Sequence, residues 1–326
     1  MAKPDFTLVR GGQINQSGDD RALFLKVFGG EVFTAFEENN VFGDNSMVRT
    51  IASGKSAQFP SIGGKVAYYH TPGEMSVGTP GNLTETILTI DDFLESASSI
   101  AEIDQAMTHF DYRAPFSRED GRAIARAYDM NIARVGIQAA QTTTSRFAGT
   151  GDIYEAKTVG KIWDVANSDT DAAVLKGALV KAATEFDEKD VPETDRNAFF
   201  KPAQYHLLAA DNDIVNRDFG AAGDVINLRV PRLAGFSLVK TNNLPTEDVT
   251  GTYGGGKYDV DARNTVALIM HPNAVGTLKV RDLSVGMTGN DYKVTHNATL
   301  VTSRMLVGHG VLRPELAQVI RTGAPV

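Results

Sequence analysis

The chain has 326 residues, a formal net charge of −8, 42% apolar and 22% charged residues, and no cysteine. Its length predicts about two domains, and its composition predicts a chain that folds around a core. The missing cysteines exclude disulfides, thiolate metal sites and cysteine nucleophiles. The acidic balance argues against a strong nucleic-acid binder, because that affinity comes from lysine and arginine.

No segment has the pattern of a membrane span or a secretory signal. The longest apolar run, Val266–Met270, has five residues, whereas a spanning helix needs about 20. The N-terminus, MAKPDFTLVRGG, lacks the apolar centre of a signal peptide. We therefore expect no membrane contact and a protein that stays in the cytoplasm where it is made.

The N-terminal part is polar at first and then rich in phenylalanine. Residues 1–21 have no clean period and are predicted to form a mobile arm. Five of the sixteen phenylalanines lie in residues 22–42, and Gly29-Gly30 is predicted to break any single helix there. This segment is either an ordinary core segment or an arm whose aromatic side chains dock on a neighbouring subunit.

Residues 49–85 have the composition of a long loop. Six glycines and three prolines lie between Ser53 and Asn82, a density that excludes a helix. Gly63-Gly64 is predicted as a hairpin tip, and Lys65–Tyr69 as an extended segment. Loops of this length are usually functional or disordered.

A long amphipathic helix is predicted from Ser117 to about Gln141. Ser117 and Asp120 resemble a capping box, and an apolar stripe with spacings of three and four follows them. Arg118, Arg122 and Arg126 repeat on the opposite side. They form either a solvated face or a charged contact with another subunit.

The remaining pattern mixes helices and strands without regular alternation, which indicates an α+β fold. Helices are predicted at Thr170–Phe186 and Pro202–Ala210, and a flexible connection at 245–264. Strands are predicted at 86–94, Asn197–Phe200, Val225–Val230, Gly235–Lys240, 265–270, 276–285, 293–307 and Leu316–Ile320.

No catalytic or metal-binding motif stands out. None of the six histidines has a second histidine within five residues, and no G-x-S-x-G motif is present. The segment Ala52–Ser56 ends like a phosphate loop, but Arg49 occupies the position of the required first glycine. The sequence therefore predicts no enzyme, no cofactor and no metal.

Six segments resemble, in the same order, the major capsid proteins of T7-like short-tailed bacteriophages (podoviruses, with cyanophages among the candidates). They are Ala22–Val32, Met47–Pro60, Ile87–Asp91, Met107–Arg113, His271–Leu283 and Gly308–Glu315. The resemblance implies the HK97-like capsid fold. It implies an N-terminal arm at 1–45, an extended E-loop at 46–86, a peripheral (P) domain at 87–150 and 276–310 with spine helix 117–141, and an axial (A) domain at 151–275 and 311–326.

The resemblance also implies a function. The chain is expected to assemble into the pentamers and hexamers of an icosahedral shell around phage double-stranded DNA, in the host cytoplasm, and to expand when DNA is packaged. The implied partners are other copies, a scaffolding protein, a portal protein and a decoration protein, with only weak contact to DNA. The alternative is an encapsulin-type compartment shell. The candidate contacts between subunits are Phe24, Phe28, Phe33, Phe36, Lys55, Phe59, Lys65, Tyr68, Tyr69, Arg118, Arg122 and Arg126.

Overall fold

The computed structural model describes residues 22–76, 78, 81–101, 113–150, 152–211, 230, 232–251, 256–288 and 290–324. For residues 22–29, 38, 113, 114, 290, 291 and 293 it describes the backbone alone. Residues 1–21 lie outside this part of the chain, as does the predicted strand Val225–Val230 except for its last residue.

Five α-helices and twelve strands lie in the described residues. The helices are α1 (Ala22–Asn39), α2 (Arg113–Gln141), α3 (Ala172–Glu188), α4 (Pro202–Ala209) and α5 (Asn290–His296). The first six strands are β1 (Met47–Thr50), β2 (Ser56–Ile62), β3 (Leu83–Thr89), β4 (Leu94–Ala101), β5 (Lys161–Asp164) and β6 (Asn197–Phe200). The others are β7 (Arg232–Leu233), β8 (Phe236–Lys240), β9 (Thr265–Met270), β10 (Val275–Met287), β11 (Ala298–Val311) and β12 (Ala317–Arg321).

The chain divides into two compact units. The first contains α1, β4, α5, the start of α2 as far as Ala125, the end of β10 and the start of β11. The second contains the remaining elements, including α3, α4 and the β2–β3 hairpin. The described residues form three sheets, with strand orders β1-β10-β11-β4, β5-β12-β9-β6-β8-β7 and β2-β3.

In the first unit, α1 packs closely against the start of α2. Val32 and Ala35 of α1 are buried, and a Cβ on Gly121 of α2 would lie 2.6 Å from the carbonyl oxygen of Val32. Ser117 Oγ of α2 donates a hydrogen bond of 2.6 Å to Glu31 Oε2 of α1. The glycine is therefore needed for the two backbones to approach.

In the second unit, the six-stranded sheet is built around β9. This strand pairs antiparallel with β12 on one side and β6 on the other. All its residues are buried because helices cover both faces of the sheet, and it contains the longest apolar run of the sequence. On one face, a Cβ on Gly136 of α2 would lie 3.1 Å from Leu268. Helix α3 covers the sheet: Gln318 Nε2 of β12 donates to the carbonyl oxygen of Ala182, and the Phe186 ring contacts that of Phe236.

Several predicted boundaries are confirmed. Helix α2 ends at Gln141, and strands occupy Asn197–Phe200 and 265–270 as predicted. The prediction that Gly29-Gly30 interrupts the helix is wrong, because α1 continues from Ala22 to Asn39. Glycine disfavours a helix by only about 1 kcal/mol per residue, which the packing of α1 on α2 offsets.

The predicted capping box is also wrong. Helix α2 begins earlier than Ser117, at Arg113. Ser117 and Asp120 lie inside the helix, where Asp120 Oδ1 accepts hydrogen bonds of 2.8 and 2.9 Å from Ser96 and Ser98 of β4. Their side chains therefore make tertiary contacts and do not cap the helix.

Two predicted strands have different bounds. The segment 86–94 divides into the end of β3 and the start of β4, because the backbone at Ile90 and Asp91 bonds to Lys55 and Val307 instead of continuing one ladder. The segment 293–307 begins as helix α5, and β11 starts only at Ala298. Asn297, with φ of 48°, separates the two, as left-handed asparagine often does at a helix end.

None of the helices described is both long enough and apolar enough to span a bilayer.

We predict that Gly121→Ala lowers the free energy of unfolding by about 1–3 kcal/mol, because the new methyl group overpacks the α1–α2 contact. Gly177→Ala in α3 is the matched control. No neighbouring atom lies within 4 Å of its added Cβ, so better helix propensity should raise stability by about 0.5–1 kcal/mol. Urea unfolding of the unassembled subunit measures both. Equal stabilisation by the two substitutions would contradict the close helix contact.

Candidate functional site

The β2–β3 hairpin is the base of a long extension. Its strands pair antiparallel from Ser56 opposite Thr89 to Ile62 opposite Leu83, and the Gly63 amide donates to the Asn82 carbonyl. The predicted tip at Gly63-Gly64 is therefore wrong: these glycines end the paired region. Residues 63–82, called the extended loop below, follow it, and their described residues belong to no helix or strand.

A buried apolar cluster anchors the base of the hairpin. Ala57 and Phe59 of β2 and Leu88 of β3 pack with Leu278 of β10 and with Leu312. In β2, these two side chains are buried and their immediate neighbours are exposed, which is the alternation of a strand with one buried face. The hairpin therefore has one face fixed to the body of the second unit and one face open.

Asp152 accepts hydrogen bonds from both ends of the extended loop. Its Oδ1 accepts from the amides of Gly64 and Tyr154 at 3.2 and 2.9 Å, and its Oδ2 accepts from Asn82 Nδ2 at 3.1 Å. A Cβ on Gly63 would collide with this carboxylate. Hydrogen bonds, the largest from the Tyr154 amide, hold the pKa of Asp152 below its ordinary value. The ionised carboxylate thus clasps both ends of the loop at neutral pH.

Arg146 also binds the hairpin, through a hydrogen bond to β2. Its Nη1 donates to Ser61 Oγ at 3.0 Å and to the carbonyl oxygen of Leu312 at 3.2 Å, and its Nη2 pairs with Glu315. Burial raises the pKa of Glu315, and the guanidinium of Arg146 opposes that shift. The ion pair is largely shielded from water, so breaking one partner would leave a buried charge.

The far end of the hairpin is fixed by Asp91. Its Oδ1 accepts from Lys257 Nζ at 2.6 Å, and its other oxygen accepts from the Tyr258 hydroxyl. Burial and the neighbouring carboxylate raise the pKa of Tyr258, so the phenol keeps its proton and donates. Lys257 also donates to the carbonyl oxygen of Thr89, the last residue of β3.

The extended loop carries three of the twelve predicted contact residues, all of them in exposed positions. Tyr69 is fully exposed, and Lys65, Tyr68 and the preceding Lys55 are exposed as well. Phe59 differs. It is buried in the chain's own cluster, under the guanidinium of Arg49 at 5.3 Å from the ring centroid. Whether its ring also contacts another subunit stays a prediction.

The other predicted contact residues lie on α1 and α2. Phe33 is 41% exposed and Phe36 is half-buried, while the side chains of Phe24 and Phe28 lie outside the described residues. The arginines of α2 are all exposed: Arg118, Arg122 and Arg126. Arg122 pairs loosely with Glu119 at 3.7 Å, both side chains being largely solvated. Whether these surfaces meet another copy stays a prediction.

Sequence reasoning missed the residues that hold the loop in place. Asp152 is 88 positions from Gly64, and Arg146 is 85 from Ser61 and 169 from Glu315, so no local pattern links them. Within the described ranges, no group of three or more histidine or acidic side chains could hold a metal ion. The arrangement as a whole is a fixed support with an exposed apolar extension.

Comparison with known proteins identifies the family. A family model described as "Gp10A-like: Major capsid protein" matches residues 58–321. The major capsid protein of Escherichia phage T7 is 32% identical over 328 residues, which cover 94% of each chain.

Solved structures agree with this result. The capsid protein of cyanophage P-SCSP1u is 34% identical, with a TM-score of 0.79 over 99% of this chain and 100% of that one. A virus-like particle from Pyrococcus furiosus shares the fold at 11% identity, with a TM-score of 0.55 over 91% of this chain and 99% of that one. The HK97-like expectation is confirmed, and the encapsulin alternative is not favoured. The chain belongs to the Gp10A-like family and is a major capsid protein of phages.

Proposed function

We propose that this capsid subunit joins its neighbours through two elements, the extended loop and helix α1. One observation carries the proposal: the apolar surface is concentrated on one hairpin. Among the described residues, seven of the sixteen exposed large apolar side chains lie between Ile62 and Ile87. Soluble monomers seldom expose contiguous apolar patches, and such patches usually mark interaction sites.

The support beneath this patch explains how it can act between subunits. The hairpin is held by the apolar cluster around Leu88 and by the hydrogen bonds of Asp152 and Arg146. None of these contacts involves the exposed apolar side chains. The loop can therefore give its apolar surface to a partner while the subunit stays folded. Contacts between different surfaces of identical subunits close into rings when the rotation permits, which suits pentamers and hexamers.

Several weak contacts per subunit suit a shell better than one strong contact. A loop and a helix that meet different neighbours add their affinities through high effective concentration. Each contact alone stays reversible, so wrongly placed subunits leave before the shell closes. The arginines of α2 would add a charged contact of this kind.

The wider role follows from the family and the charge. We assign the chain to the icosahedral shell of the virion, assembled in the host cytoplasm with a scaffolding and a portal protein and enclosing double-stranded DNA. A decoration protein is a further candidate partner. The net charge of −8 supports weak contact with DNA, because an acidic wall repels phosphates. The role is structural and assigns no catalytic residue.

Removing the extended loop should separate folding from assembly. We expect replacement of residues 65–81 by a Gly-Ser linker to leave the unfolding midpoint unchanged and to abolish stable shells. Ser61 and Ile62 are kept because they belong to β2. Electron microscopy and sedimentation of subunits co-expressed with scaffolding protein measure the result. Shells of normal yield and stability would contradict the role of the loop.

The contact through α1 has its own test. Replacing Phe28 and Phe33 with serine should spare subunit folding and block shell assembly, since an arm without its aromatic rings loses its docking energy. Glu37→Ser, an exposed position on the same helix, is the control and should assemble normally. Normal particles from the double serine variant would remove α1 from the proposal.

The hydrogen bonds of Asp152 should keep the ends of the extended loop ordered. Asp152→Ala removes three hydrogen bonds, so we expect amide exchange at Gly64 and Tyr154 to accelerate about tenfold, with slower assembly. Because the folded-state pKa is depressed, acidification through that pKa should have a similar effect, whereas neutral and basic buffers should not. Asp169→Ala, an exposed carboxylate, is the control. Unchanged exchange at Gly64 would show that the clasp does not order the loop.

A further inference from the structure

A groove in the second unit is lined by positive charge. It has a volume of about 500 Å³ and lies beside the base of the hairpin, and its described lining includes three arginines and no acidic side chain. Arg146 is neutralised by Glu315. Arg49 and Arg313 are exposed, and neither forms an ion pair with any residue that the structure describes. The arginine groove, as it is called below, therefore has two positive charges without a paired carboxylate.

The walls of the arginine groove suit a carboxylate. Arg49 is held in one orientation, because its Nη1 donates to the carbonyl oxygen of Gln58 at 2.7 Å and its guanidinium lies over the Phe59 ring. Phe59 and Leu312 form an apolar part of the wall, and low polarity nearby strengthens an ion pair. Guanidinium groups bind carboxylates through two parallel hydrogen bonds. The arginine groove is therefore suited to the acidic side chains of a polypeptide.

The same unit carries a strongly acidic surface segment. Residues 187–195, called the acidic segment below, run from the end of α3 towards β6, and five of these nine residues are acidic. Asp187 and Asp190 pair with basic side chains of their own chain. The other three are exposed and pair with no basic residue in the described ranges: Glu188, Glu193 and Asp195.

The backbone of the acidic segment is fixed by buried contacts. Arg196, which is 4% exposed, donates from its guanidinium to the carbonyl oxygens of Val191 and Pro192 at 2.6 and 2.9 Å. The Val191 amide donates to the carbonyl oxygen of Phe186 at 3.0 Å. The carboxylates are therefore presented from a rigid support, which lowers the entropy lost when a partner binds them.

The arginine groove and the acidic segment lie at the same end of the six-stranded sheet. Strand β6 begins with Asn197 opposite Met270, the last residue of β9. The acidic segment comes just before β6, and Asn273, which lines the groove, comes just after β9. Burial lowers the pKa of the intervening His271, Arg313 adds to that shift and Asp195 opposes it. Both charges thus act at this end of the sheet, and they form no ion pair with each other.

We propose that two copies of the chain meet at this end of the sheet, with the acidic segment of each against Arg49 and Arg313 of the other. This rests on the proposed function and adds an electrostatic contact to the loop and the helix. A surface that carries a cationic groove beside an anionic segment is complementary to a second copy turned by half a rotation. The net charge of −8 makes copies repel elsewhere, so these opposite charges select the register in which they meet.

Charge reversal tests the contact. Arg49→Glu with Arg313→Glu should raise about tenfold the subunit concentration at which half of the protein sediments as particles, because several ion pairs are lost and like charges then meet. Glu193→Lys with Asp195→Lys should have the same effect. All four substitutions in one chain should restore assembly to within about twofold of the unmodified protein, since the charges are exchanged but again opposite.

Matched controls separate this contact from net charge. Arg281→Glu, on an exposed site of β10, and Asp169→Lys change the net charge at positions outside both surfaces. They should leave the assembly concentration within about twofold of the unmodified value. Urea unfolding of each unassembled variant shows whether a substitution acts on folding.

Cross-linking identifies the partner directly and keeps the charge of the groove. Arg313→Lys preserves the positive charge and supplies an amine, which a carbodiimide couples to a touching carboxylate as an amide. Particles are assembled from equal amounts of ¹⁵N-labelled and unlabelled subunits of this variant. Mass spectrometry should find position 313 joined to Glu193 or Asp195 in peptide pairs of mixed label, several-fold above any link to Asp169.

The other outcomes overturn the proposal. Normal assembly of both reversed variants would refute the contact and leave the shell role intact. Failure of the fourfold variant to recover, or a cross-link from position 313 to a scaffolding protein, would exclude the acidic segment as the occupant. Cross-links of a single label only, or lower stability of the unassembled reversed variants, would show that the charges act within one chain. If the unmodified chain formed no particles, the proposed function would fail, and mixed-label cross-links between free subunits alone would decide the contact.

Discussion

A two-stranded hairpin has too little buried surface to be stable alone in water, and this constraint governs the capsid subunit described here. The β2–β3 hairpin is stable because Ala57, Phe59 and Leu88 join the body's own cluster. Its open face then contributes little to folding, which leaves that face available to a partner. The extended loop can expose tyrosine and methionine only because the support beneath it is complete.

Carboxylates that accept backbone amides complete this support where regular secondary structure ends. Asp152 holds the start of the extended loop, and Asp129 of α2 accepts from the amides of Val41 and Phe42 at 2.9 and 3.1 Å, just before β1. Burial raises the pKa of Asp129, while these amides oppose the shift. Phe42 then stacks on Phe199, with ring centroids 4.2 Å apart. Backbone groups that leave a helix or strand need such partners, so these anchors fix the direction in which each segment departs.

The sequence predicted elements best where packing agrees with local pattern. Strand β9 and the end of α2 follow apolar periodicity, and they have the expected bounds. Prediction failed where a contact with a residue distant in sequence determines the local structure. Gly29-Gly30 stays helical because α1 packs near Gly121. Ser117 donates a hydrogen bond to Glu31 instead of capping the helix. The glycine and proline density indicated the extended loop correctly. It could not reveal the Asp152 clasp, because no local pattern connects residues 88 positions apart.

A fixed support and an adaptable extension together answer the geometric problem of a shell, in which one sequence fits rings of different size. Arg146 and Asp152 hold the base of the hairpin through contacts within the chain itself. Adaptation is left to the extended loop, where Gly73 has a φ of 97° that other residues rarely adopt.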